Sequence, residues 1–179
     1  MTLGAGPTVP ARPEAKRISL RRASVWAVAL VTVDAFYLNE GWLAAIVGLG
    51  MLLGSPSPAA IAKHSEQSLR HLARVAIFLA AALLVFGLNW ANNLIAERRF
   101  EMLITSIKAF KHEHQRYPAK LDELVPEFLD HVPRAKYTLG FSAFHYDALP
   151  DYHNLFYVET PPFGRPAYKF EKNERWYLD

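Results

Sequence analysis

His112-Glu113-His114 carries the residue types that bind zinc or move protons, and it is the densest such group in the sequence. A metalloprotease helix needs H-E-x-x-H, which puts both histidines on one face. The position that would complete the motif here is Arg116. Residues two apart on a helix do not share a face, so the triplet is no ligand pair. His131, His145 and His153 have no ligand spacing and read as solvated or hydrogen-bonded structural residues. Ser106 and Ser142 lack a G-x-S-x-G setting, and no glycine-rich phosphate loop occurs. Glu123, Glu127, Asp147, Asp151 and Glu159 include material for an acid–base pair, though any soluble domain offers as many carboxylates. The chain has no cysteine, which removes thiol catalysis, disulfides and cysteine-ligated metals. The expectation is a protein without catalytic, cofactor-binding or metal residues, and not an enzyme.

The segments that must carry these residues divide sharply. Apolar residues crowd between Ala23 and Ala96, and charge crowds on either side. The net charge of +3 resolves into +4 over residues 1–23, zero over 24–96 and −1 over 97–179. Arg12, Lys16, Arg17, Arg21 and Arg22 therefore form a basic tail beside an apolar segment, the mark of a cytoplasmic membrane flank. A nucleic-acid domain would carry its charge on the folded part instead, so no nucleic-acid partner is expected.

Val75–Ala96 is free of charge over 22 residues, longer than a hydrocarbon core of about 30 Å requires. It predicts a spanning helix. The earlier apolar stretch is broken by Asp34 and by Asn39-Glu40-Gly41. One long helix would bury Asp34 near its centre, at about 2.5–3.5 kcal/mol. A hairpin turning near Asn39-Glu40-Gly41 puts the acids at the interface, with arms shorter than the usual span of about 20 residues. The hairpin is the preferred reading, with Asp34 solvated near its turn. An acid left inside the membrane would instead mark a transport or sensing role. The expected divisions are a disordered basic tail (1–22), a membrane hairpin (23–54), a basic cytoplasmic loop (55–74), a transmembrane helix (75–96) and a soluble domain (97–179). Three crossings place that domain outside the cytoplasm, anchored in the inner membrane. A single long first helix would place it inside.

After Ala96 the helical pattern continues: Phe100, Leu103, Ile104, Ile107 and Phe110 form one stripe running toward Tyr117, with Pro118 as the stop. Leu121 to Val132 suggests a short helix interrupted by Pro126. Strands are expected at Ala143–Tyr146, Leu155–Glu159, Ala167–Phe170 and Arg175–Leu178, joined through Asp147–Asn154 and Thr160–Pro166. A long helix against a small antiparallel sheet is an α+β domain. Tyr137, Phe141, Phe144, Tyr146, Tyr152, Phe156, Tyr157, Phe163, Tyr168, Phe170, Trp176 and Tyr177 concentrate in its last part. Strand alternation prevents them all from facing one core, and two readings stand side by side: an exposed patch for a partner, or large side chains filling the small core of a thin sheet.

A helix followed by Gln115-Arg116-Tyr117-Pro118, then Leu121-Asp122-Glu123-Leu124, Pro126, Val132-Pro133 and aromatic strands resembles the C-terminal domain of type II secretion pseudopilins. The resemblance covers about residues 95–179; the N-terminal membrane region does not match that family. It implies a pilin-like shape and an extracytoplasmic domain. The function expected is therefore a membrane-anchored protein-interaction or envelope-assembly module, with the lipid bilayer and a protein partner or second copy as its contacts. The alternative is a small membrane-bound enzyme, or enzyme accessory, using carboxylate or histidine groups of the C-terminal sheet.

Overall fold

A computed structural model describes residues 20–55, 65–160 and 164–178, the side chains of 65–67 excepted. The fold is α+β: among the described residues there are three α-helices, of which the last is very long, and a four-stranded antiparallel sheet. Helix α1 spans Leu20–Val33 and continues as a π-helical segment, Asp34–Leu38. Its first residues, 20–22, lie inside the stretch read as disordered; the rest of that tail falls outside the described residues. Asn39 and Gly41 then take left-handed conformations (φ 55° and 77°) and reverse the chain. Gly41 is required twice over: a side chain there would be strained at positive φ, and its Cβ would meet the Phe86 ring at 3.0 Å. Helix α2 follows over Trp42–Leu53.

Helix α3 runs unbroken from Ser65 to His114, 50 residues or about 75 Å. It starts ten residues before the expected Val75, so residues 65–74, read as part of a loop, are its opening turns. Nothing between Ser65 and Phe86 is glycine or proline, and long apolar and charged side chains sustain helix there. At the far end the helix stops at His114 rather than Tyr117. Gln115 takes the left-handed φ of 57°, ending the helix in place of a proline stop, and its side-chain Nε2 donates back to the His112 carbonyl at 2.7 Å.

α1 and α2 both pack on the first half of α3. The seam is built from small residues: Ala23, Ala27, Ala44, Gly48, Ala81 and Ala82 are buried between the helices. A Cβ on Gly48 would lie 3.8 Å from that of Ala82, so the backbones approach closely. The large apolar residues face outward instead: Trp26, Val28, Ile46, Leu49, Leu53, Leu83, Leu84 and Trp90 are exposed. α3 is long and apolar enough to cross a membrane, and only 28 % of its most apolar stretch is buried within the protein. An inner seam of alanine and glycine beneath an outer coat of leucine and tryptophan inverts the pattern of a water-soluble bundle.

The second half of α3 is the spine of the C-terminal domain. Its stripe of Phe100, Leu103, Ile104, Ile107 and Phe110 is buried, together with Leu124, Phe144, Leu155, Tyr157, Tyr168 and Phe170. A single 3₁₀ turn, Leu121–Leu124, replaces the expected short helix. Val125, extended ahead of Pro126, prevents it from continuing. The strands are β1 His145–Leu149, β2 Tyr152–Phe156, β3 Arg165–Lys169 and β4 Glu174–Leu178, each paired to the next. Leu149 pairs with Tyr152 and Asp147 with Asn154, so Pro150-Asp151 alone turns the first hairpin. The expected long connection over Asp147–Asn154 is mostly ladder. Part of the second connection, 161–163, lies outside the described residues.

Candidate functional site

The register divides the aromatics between two faces. Phe144, Tyr146, Leu155, Tyr157, Tyr168 and Phe170 turn toward α3. Phe100 anchors that packing, edge-on to Tyr157 at 5.3 Å and stacked beside Phe144 at 6.2 Å. On the opposite face His145 stacks on Phe156 at 4.9 Å. Lys169 sits over the Trp176 ring at 3.7 Å, and the Trp176 indole donates to Asn154 at 3.4 Å. Exposed Phe141 and Arg165 border a shallow depression of about 460 Å³ with His145, Phe156 and Val158. Both expectations for the aromatics are met in part, since some fill the core and some form a half-exposed face. Phe163 lies outside the described residues.

Among the described residues the histidines and carboxylates do not converge. His112 is exposed on the last turn of α3; His114 packs on Phe110 and Phe128 and approaches Glu127 at 3.4 Å. His131, Asp147 and Asp151 are exposed, Ser106 is buried, and Ser142 borders the outer depression. Glu123 accepts from Arg116 at 2.8 Å and from the Ala119 amide; the Arg116 hydrogen bond, outweighing desolvation, holds its carboxyl below the usual range. One pair is closer to chemistry. His153 Nδ1 lies 2.7 Å from Glu171, whose carboxylate also accepts the His153 amide. Burial alone would raise Glu171, but these hydrogen bonds lower it on balance. Tyr117 covers the His153 ring at 4.3 Å, so the pair staples the β3–β4 turn to β2 beneath an aromatic lid. Among the described residues no three His, Asp or Glu side chains gather as metal ligands.

A polar seam joins the helical hairpin, α3 and the domain, and sequence reasoning largely missed it. Asp34 is fully buried, not solvated. Its two oxygens accept the Gly41 and Ala44 amides, each at 2.7 Å, and so cap α2. The π-helical segment positions Asp34 for this, and burial is tolerable because the carboxylate receives two N–H donors. Beyond the turn, Leu139 N–H donates to the Phe36 carbonyl at 2.8 Å and Tyr137 N–H to Asn92 Oδ1 at 3.3 Å. Arg99 holds the same loop through the Arg134 carbonyl and the Tyr137 hydroxyl. The sequence signals for it are Asp34 itself and the asparagines Asn89, Asn92 and Asn93, polar residues set in otherwise apolar helices.

Lys136 is buried at the edge of this seam and donates to the Glu159 carbonyl. Burial pulls its ammonium down to about 8, against a smaller opposing pull from Glu159. Between pH 8 and 10.5 the unfolded chain then binds more protons than the folded one, so stability rises with pH across that window. A gain of about 1–3 kcal/mol is expected. Thermal unfolding in micelles at pH 7.5 and 10 should show the native protein gaining stability relative to Lys136→Met; parallel behaviour of the two would remove Lys136 as the cause.

The fold and site together define a class: a small α+β domain whose principal helix continues into a long apolar helix. Compared with known proteins, the chain matches no family model, no curated sequence and no solved structure at a significant level.

Proposed function

We propose that this chain is a membrane-anchored module that holds a pilin-like α+β domain outside the cytoplasm and works by protein contact through the outer face of its sheet. The observation that carries this is α3. One uninterrupted helix presents large apolar side chains outward over its first half and becomes the core of the domain over its second. Anchor and domain are therefore one rigid element, suited to presenting a surface at a set distance from the bilayer.

The three-crossing arrangement draws support from the hairpin turn, which packs against Phe86 and Asn89 near the middle of α3, where its apolar half approaches the domain. The basic residues Arg21, Arg22, Arg70 and Arg74 lie toward the other end, as a cytoplasmic side requires. α2 has 12 residues, about 18 Å, and needs flanking residues or local thinning to complete its crossing. The outer sheet face, with His145, Phe156 and Trp176 beside Arg165 and Lys169, suits a partner surface. The protein should stay in the pellet after alkaline carbonate extraction, and a reporter active only in the cytoplasm should be silent when fused after Asp179. Release by carbonate would remove the anchor, and an active reporter would reverse the topology. The enzymatic alternative draws on the His153–Glu171 pair alone, which Tyr117 covers.

A further inference from the structure

We propose that the loop Tyr137–Phe141 is a second membrane contact, a hook that enters the lipid headgroup–acyl boundary and pins the domain down onto the bilayer. This rests on the membrane reading of α3 and adds to it a lipid-binding surface on the domain itself. The first argument is depth. Tyr137 bonds to Asn92, five residues before Glu97, the first charged residue after the apolar stretch of α3. Five residues of helix are about 7.5 Å, so the loop descends that far below the charged rim. Its Leu139 amide reaches Phe36, in the last turn of the hairpin's first arm, and Gly140 lies against the Tyr37 carbonyl, 3.3 Å from where a Cβ would stand.

The second argument is what the loop shows to its surroundings. Leu139 is 80 % exposed, the most open large apolar residue described, and Tyr137 and Phe141 flank it, also exposed. The side chains at the same level of the helices are Phe36, Tyr37, Trp42 and Trp90, all exposed. Aromatic residues gathered at one height are the signature of the membrane–water interface, and the loop extends that belt without a gap. The third argument is that the loop is held in place. Asn92, Phe36 and Arg99 tie down its backbone and the Tyr137 ring, while Thr138 is buried and bonds to the Gly140 carbonyl at 2.6 Å. An exposed leucine on a fixed loop at this depth meets acyl chains, as the apolar face of an interfacial segment does.

The absence of cysteine permits a direct test with the full chain in phosphatidylcholine vesicles. Single variants Leu83→Cys, Leu139→Cys and Leu149→Cys would carry an environment-sensitive fluorophore, with nitroxide quenchers at carbon 5 or carbon 12 of the acyl chains. Leu83 is exposed along the apolar half of α3; Leu149 is exposed at the turn of the first β-hairpin. Expected is quenching at 139 several-fold above that at 149 and stronger from carbon 5, with 83 quenched best from carbon 12. If 139 matches 149 while 83 is quenched, the hook is wrong and the membrane helix stands. If 83 is also unquenched, the membrane reading falls and the hook with it. Phe141→Cys gives the same readout should the variant at 139 fail to fold.

Discussion

Replacing Phe100 with alanine should cost the C-terminal domain about 3–5 kcal/mol, the usual range for deleting a fully buried phenylalanine. The ring is 1 % exposed, and it sits where α3 meets the sheet, against Phe144 and Tyr157. The substitution removes aromatic contact as well as apolar area, and the helix and sheet backbones cannot close the gap without breaking the ladder. For a domain of about 80 residues with an ordinary stability of 5–15 kcal/mol, that is a large share of the total. The melting transition followed by near-UV circular dichroism should fall by more than 10 °C. Phe100→Leu, which keeps part of the volume, should fall between the two. Retained carbonate resistance in all three proteins would localise the damage to the domain. A shift of only a degree or two for alanine would mean that Phe100 is not the centre of this core.

Asp34→Ala should lower the stability of the helical hairpin by about 2–4 kcal/mol, because it strands the Gly41 and Ala44 amides in a buried place. Asp34→Asn keeps one acceptor oxygen and should lose roughly half as much. Thermal unfolding in micelles, followed through tryptophan fluorescence, should rank wild type above Asn and Asn above Ala. A transport role for the carboxylate would give another pattern, with Asp34→Asn losing activity at unchanged stability. Equal stability of all three proteins would overturn the capping assignment.

The α+β character was legible because each half of the pattern is local. The stripe Phe100, Leu103, Ile104, Ile107 and Phe110 has a helical period that only one-sided burial explains, and the structure buries all five. Four strands were expected, and the described residues hold four. Their ends shifted because hairpin register is set across strands: Asp147 and Asn154 look like turn formers in isolation, yet they pair with each other. Likewise Pro126 was visible as an interruption, but not that the segment would shrink to one 3₁₀ turn.

By itself, then, the sequence determined where the chain is apolar, where its charge lies, and that a long helix must meet a small aromatic sheet, since composition and periodicity are properties of neighbouring residues. Only the tertiary structure decided which aromatics fill the core and which face outward, that Asp34 is a buried helix cap and not a solvated acid, and that residues 134–141 return to Phe36 and Asn92. Each of those depends on partners 7 to 103 positions away in sequence, such as Asp34 with Gly41 and Phe36 with Leu139. Such distant pairings are made by the closing of the whole fold, and no local pattern records them.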